Sequence, residues 1–313
     1  MGVTPDVTPA QPTRAAAPDL SRPGRGRALP WLRRLAAVSV GVNVLIVVTG
    51  GVVRLTGSGL GCPTWPRCTD ESFTPHAAMD VHSAIEFGNR MVTFLLAAVA
   101  IATFLLARRV GRPALTRLAL VLLLGVPAQA LIGGVTVLTG LNPWTVAFHL
   151  LVSMAMICVA VTLLVRVDEP DGRTSPTVPL GVRWLVGGLF VVGWVVLYLG
   201  TVVTGSGPHA GDADAPRNGL DPRAVTQLHT DAVFLLLGLT IAVVLVLRSV
   251  PAPDRARTAA TVLLAQGAIG FTQYFTGLPV VLVGLHLLGA ALSAAAMTWL
   301  LLTTRTRTPS RPS

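Results

Sequence analysis

The chain has 313 residues, of which 52% are hydrophobic and 12% charged, with a mean hydropathy of +0.68. That is too apolar for a soluble domain of this length and points to an integral membrane protein. The net charge of +10 comes wholly from arginine, since there is no lysine. The arginines are scattered over tails and short loops, which suits membrane orientation and not a nucleic-acid face, and three cysteines are too few for a disulfide scaffold.

Residues 1–30 are rich in Pro, Arg, Ala and Thr without apolar periodicity, and read as a disordered tail with no cleaved signal peptide. Apolar runs then recur at about 35–53, 89–107, 117–138, 144–166, 183–204, 225–247, 257–276 and 280–303. Each is long enough to cross a hydrocarbon core of roughly 30 Å as a helix. The expected fold is therefore an all-α integral membrane protein of eight transmembrane helices. Its organisation would be a tail (1–30), an N-terminal four-helix half (31–166), a linker (167–182), a C-terminal four-helix half (183–304) and a second tail (305–313).

With eight crossings, the arginine clusters fall on one side. These are Arg22 to Arg34, Arg108 to Arg117, Arg166 with Arg173 and Arg183, Arg248 with Arg255 and Arg257, and Arg305 to Arg311. The positive-inside rule then places both termini in the cytoplasm, in the plasma membrane of a bacterium whose genome the composition suggests is GC-rich.

The chain also repeats itself. "LTGSGLG" (55–61) follows helix 1 and "VTGSGPH" (203–209) follows helix 5. "AQALIGGVTVLTGL" (128–141) matches "AQGAIGFTQYFTGL" (265–278) at an offset of 137 residues, which also carries His149 onto His286. Laying helix 6 on helix 2 places His229 on Asn89. Four equivalent positions result, Asn89, His149, His229 and His286, each near the start of an even-numbered helix and so at one depth near the outer face. Two tandem pseudo-symmetric four-helix bundles follow. Parallel repeats of this kind also build transporters.

A histidine in hydrocarbon is a functional candidate. His229 and His286, facing each other across the C-terminal bundle, are the usual means of holding a six-coordinate b-type haem. The bland alternative is hydrogen bonding between helices, and zinc is disfavoured for want of further ligands at metal-site spacing. The first half departs from the pair, since His149 has Asn89 opposite it. Glu86 lies one turn before Asn89 on the same helix face, with His82 another turn back. A carboxylate there can serve proton transfer, or it is an interfacial acid paired with Arg90. Arg54, Arg90, Arg217 and Arg223 could meet haem propionates, or only lipid headgroups. Cys62 and Cys68, in "GCPTWPRCT", could form a disulfide outside the cytoplasm, act as redox thiols or clip a metal. Cys158 reads as core packing, and the TGSG segments as tight helix exits.

The segments "GGVVRLTGSGLGCPTWPRC" and "IEFGNR", the His-Leu-Leu of helices 4 and 8, and the tandem repeat together resemble the haem A synthase family from about residue 35 to 303. The resemblance implies oxidation of the C8 methyl of haem O to a formyl group, giving haem A for terminal oxidases. It implies a haem b cofactor on His229 and His286, and a substrate site in the N-terminal half around His149, Asn89, His82 and Arg90. Glu86 falls on the family's essential glutamate, and Cys62 with Cys68 on its loop cysteine pair, a disulfide. The family has histidine where this sequence has Asn89, so that either His149 is the one protein ligand there, or His82 swings in, or this member binds substrate differently. Haem O synthase, oxidase assembly factors and the lipid bilayer are the implied partners, and a homo-oligomer is compatible. A bis-histidine cytochrome b that only carries electrons, and a haem transporter, are the competing readings.

Overall fold

The computed structural model describes residues 25–75, 81–248 and 253–309. Eight helices account for most of them, and seven of the eight are long and apolar enough to cross a membrane. They are α1 (Arg25–Leu55), α2 (Val81–Val110), α3 (Pro113–Leu138), α4 (Pro143–Asp168), α5 (Leu180–Ser206), α6 (Pro222–Leu247), α7 (Pro253–Phe275) and α8 (Val280–Thr303). The helix outside that set is α7, whose first turns carry Asp254, Arg255 and Arg257.

Local chemistry sets the helix ends. Pro113, Pro143 and Pro222 each open a helix at a position where a missing N–H costs nothing. Asn142 and Asp221 cap their helices by accepting from the backbone N–H groups of Trp144, and of Arg223 and Ala224. The two Thr-Gly-Leu segments end α3 and α7 in the same way. Gly140 and Leu141 have φ of 60°, and Gly277 and Leu278 have φ of 79° and 61°. The leucine N–H reaches back to the carbonyl of Thr136 in one and Gln273 in the other, 2.8 Å in both, which is a Schellman-type stop. This turn fixes where α4 and α8 begin, and hence the height of His149 and His286.

Two departures from the expected boundaries matter. α1 begins at Arg25, so residues 25–30 are helical and only 1–24 of the expected tail lie outside the described residues. α2 begins at Val81, which puts His82 and Glu86 on the helix proper. The second TGSG segment also differs from its reading as a tight exit. Gly57 has φ of 68°, but Gly205 stays within α5, where a Cβ would come 3.1 Å from Asn218 Nδ2 and from Pro143 Cβ. The glycine is needed there for close approach.

In the first half α1 packs on α2 and α4, and α3 packs on the same two. In the second, α5 packs on α6 and α8, and α7 packs on the same two. α2 and α4 are thus diagonal corners of one ring of helices, and α6 and α8 of the other. The halves meet through α1, α4, α5 and α8. Small residues line this junction, where Ala291 and Ala294 of α8 pack with Met154, Ile157 and Val161 of α4.

The dense apolar packing of each half lies at the end where α1 begins and α8 finishes. Leu32, Val110, Leu115, Leu163 and Val167 form it in the first half, and Val186, Val243, Ala259 and Leu300 in the second. The linker and the C-terminal segment meet at that same end. Gly172–Pro176 (β1) and Arg305–Pro309 (β2) pair antiparallel, an addition to the all-helical expectation. Beneath them the buried Arg112 donates to the carbonyls of Arg166, Val167 and Glu169 and pairs with Asp171 at 3.0 Å, capping α4.

Candidate functional site

At the opposite end the buried apolar cluster among the described residues is small, formed by Leu141, Ala210 and Ala215, and there His149, His229 and His286 sit. Their surroundings repeat. Gln129 of α3 donates through Nε2 to the carbonyl of His149 at 3.2 Å, and Gln266 of α7 to the carbonyl of His286 at 2.8 Å. One turn further along the same helices, Gly133 faces the ring of His149 and Gly270 that of His286. Between α5 and α6, Gly200 faces His229.

Each of the three rings is half-buried, with its Nδ1 buried, and a backbone carbonyl lies near two of them, that of Val196 for His229 and that of Gln266 for His286. The rings of His229 and His286 also lie within electrostatic range of each other across the α6–α8 diagonal. Among the described residues no group of three or more His, Cys, Asp and Glu side chains could hold a metal ion.

The fourth corner differs. Asn89 Oδ1 accepts a 2.7 Å hydrogen bond from Thr49 Oγ1 on α1, so its amide is engaged within the protein. His82 does not swing towards the ring centre either. Its Nδ1 is hydrogen-bonded to Ser58 Oγ at 3.0 Å, and Ser58 in turn to Thr56 at 2.7 Å. Of the side chains proposed for the first half, His149 is therefore the imidazole set in a helix-ring corner.

Glu86 is buried, with both carboxylate oxygens in use. Oε2 accepts from the Cys62 N–H and Oε1 from the Arg90 guanidinium, each at 2.6 Å. Arg90 goes on to donate to the carbonyls of Cys62, Thr64 and Arg67. These contacts clamp a loop closed by a disulfide between Cys62 and Cys68, both fully buried. The loop contains a cis Trp65–Pro66 bond, and its Trp65 indole lies against Gly134, next to the glycine that faces His149. Glu86 and the His149 corner thus share one roof. That link is absent from any spacing rule, because it runs through the loop.

The arginines considered for propionates have other duties. Arg54 donates to the carbonyls of His209 and Thr204, joining the halves, and Arg217 to those of Ala215 and Pro208. Arg223 is exposed. Sequence reasoning passed over His209, whose Nε2 bonds the Leu278 carbonyl at 3.2 Å, and Gly59, whose N–H bonds Gly211 O at 2.8 Å to interlock the two loops. A groove of about 390 Å³, lined by Ile132, Val135, Trp144, Thr145 and Phe148, opens between α3 and α4. Cys158 points at the Ala294 carbonyl in the junction between halves, a packing position.

A family profile described as cytochrome oxidase assembly protein matches residues 33–216, that is α1 to the loop before α6. The chain is 27% identical to a haem A synthase of Bacillus cereus (strain AH187) over 212 residues, 65% of this chain and 66% of that one. It is 31% identical to a haem A synthase of Symbiobacterium thermophilum over 186 residues (55% and 58%) and 25% identical to one of Geobacillus kaustophilus over 183 residues (56% of each). The chain spans less than two thirds of the length of these relatives. His229 and His286 lie beyond the profile match, so their assignment rests on the internal repeat.

Proposed function

The chain belongs to the COX15-CtaA family of cytochrome oxidase assembly proteins, and from that premise we propose that it is a haem A synthase acting on haem O. The observation that carries the proposal is the recurrence of one corner, a half-buried imidazole seated against a glycine of the preceding helix, at His149, His229 and His286. In this reading all eight helices, α7 included, cross a bacterial plasma membrane. The halves are related by pseudo-symmetry, and both termini lie on the arginine-rich cytoplasmic side.

His229 and His286 would hold a haem b in the second half. The residues fit it in being two imidazoles on diagonal helices, away from the apolar core and within electrostatic range of each other. When bound, this group supplies one-electron redox chemistry. The substrate lies in the first half with His149 on one face, and the apolar groove between α3 and α4 suits its isoprenoid tail. The C8 methyl becomes a geminal diol and loses water to leave the aldehyde. Written as a half-reaction, R–CH3 and one water give R–CHO, four protons and four electrons, and the electrons pass to an oxidant from outside the chain.

The chain's own residues orient the substrate and handle protons. Of the two Glu86 oxygens, Oε1 is the one able to take a proton at low cost. Its partner Arg90 keeps three carbonyl acceptors when it lets go, whereas release of Oε2 would strand the buried Cys62 N–H. A bis-histidine electron carrier is the competing reading. It draws support from the engagement of Glu86 in the loop and is opposed by the withdrawal of Asn89 from the first-half centre.

The test is extraction and chromatography of haem from protein expressed with and without a haem O synthase. Haem A appearing only with that partner supports the synthase. Haem b alone in both, with haem O confirmed in the membranes, supports the carrier.

A further inference from the structure

At the end of the bundle where α4 and α8 finish, arginines outnumber the acids set among them. Arg112, Arg305 and Arg307 lie within electrostatic range of Arg166, and the acids paired with this group are Glu169 and Asp171. Asp168, the acid at the end of α4, is taken by Arg33 at 3.0 Å. Four arginines against two acids leave two positive charges in excess.

Pairing within the cluster is also incomplete. Arg112 is saturated by three backbone carbonyls and by Asp171. Arg166 and Arg307 instead share one atom, Glu169 Oε2, which their Nε atoms approach only to 3.5 and 3.9 Å. Arg307 Nε is buried without a hydrogen bond, while its Nη1 donates to the Gly172 carbonyl at 3.2 Å. Among the described residues no hydrogen bond engages either Nη of Arg166 or Nη2 of Arg307. The two side chains are only 13% and 25% exposed, so water and salt screen their repulsion poorly.

The cluster stands at headgroup level. Arg166 is in the last turn of α4, and Arg305 and Arg307 follow the end of α8. Trp31, Trp184 and Trp299 lie towards the same end of their helices, with Arg34 over the first ring at 4.7 Å and Arg255 over the third at 5.1 Å. Tryptophan beside arginine marks a membrane–water boundary. A phosphodiester at this level offers several oxygens to two guanidinium forks, which a carboxylate shared through Nε does not.

We propose that Arg166 and Arg307, with the exposed Arg305 at the rim, bind the phosphate of an anionic glycerophospholipid from the leaflet at this end. Basic pockets between transmembrane helices recognise such headgroups. The lipid would brace α4 against the ribbon of β1 and β2. This site requires only that the helices cross a membrane, and it is independent of the haem-binding reading.

The test uses full-length protein stripped of co-purifying lipid in neutral detergent. Its thermal midpoint is followed as phosphatidylglycerol, phosphatidylcholine or inorganic phosphate is added at matched phosphorus concentration. Phosphatidylglycerol is expected to raise the midpoint well above the other two. Arg166→Gln and Arg307→Gln should each raise the concentration needed for half the shift about fivefold. Arg109→Gln, which takes the same charge from the exposed end of α2, should respond as the wild type does. Equal shifts with the two lipids overturn the inference, as do cluster variants that respond like the wild type. Inorganic phosphate matching phosphatidylglycerol assigns the cluster to free phosphate and overturns the lipid. Arg109→Gln weakened as much as the cluster variants reduces the effect to diffuse surface attraction and overturns the site. If neither cluster variant accumulates, Arg305→Gln takes their place, and a response equal to that of Arg109→Gln overturns the inference.

Discussion

The Cys62 N–H and Glu86 Oε2 are joined by a 2.6 Å hydrogen bond, so a carboxylate on α2 is anchored to the backbone of a disulfide cysteine. Glu86→Ala removes that acceptor and also leaves Arg90 without its acid. The expected cost is about 2 kcal/mol, read as a lower thermal midpoint in detergent. Glu86→Gln keeps an acceptor for Cys62 and should recover about half of it. If Glu86 handles protons, both variants lose haem A formation. Haem A at wild-type level from Glu86→Gln would reduce the residue to a loop anchor.

Replacing Cys62 and Cys68 with serine opens the small loop they close. Chain-entropy reasoning puts the loss at about 2 kcal/mol. The loop also carries Trp65 against Gly134, so its release should be visible as a red shift in tryptophan emission and as new protease cleavage between residues 62 and 72. An emission spectrum and digestion pattern like those of the wild type would show that Glu86 and Arg90 hold the loop unaided.

Gln129 and Gln266 each tether the backbone of the following histidine-bearing helix. Gln266→Leu should cost about 1 kcal/mol and perturb only the spectrum of the second half, and Gln129→Leu only that of the first. Gly289→Ala should act like Gln266→Leu, because its Cβ would occupy the place of Gln266 Oε1. The pair should then be clearly non-additive, as expected of neighbours sharing one contact. Additive effects would separate them.

His149→Ala should remove haem from the first half and leave the second intact. His229→Ala and His286→Ala should do the reverse. Asn89→Ala loses one hydrogen bond to Thr49, worth about 1 kcal/mol, and should retain haem in both halves. Haem per chain and the optical spectrum check all four. Loss of first-half haem in Asn89→Ala would make the amide part of the site.

The helices were legible because a long uncharged apolar run has few alternatives in a membrane, and the repeat because its 137-residue offset runs without a gap through Gln129, Gly133, Leu141 and His149. The start of α2 was not. Residues 81–88 hold His82, Ser83 and Glu86, and tertiary contacts support them in the helix. Ser83 Oγ donates to the Gly61 carbonyl at 2.7 Å, and Glu86 accepts from Cys62. The ribbon was hidden for a related reason. "GRTSP" and "RTRTP" show no alternation of apolar and polar residues, and their pairing is an accident of where the two ends of the second half come together. The glycine notches were unreadable in a chain with 31 glycines, since only contact with a ring distinguishes Gly133, Gly200 and Gly270 from the others.

The ribbon has a consequence for biosynthesis. β1 leaves the ribosome before any of the second half, and β2 after all of it. The linker strand must therefore wait, with its backbone groups met by water, until α5 to α8 and then β2 have been made. A chain that stops short of Arg305 leaves the linker before α5 unclasped from the segment after α8.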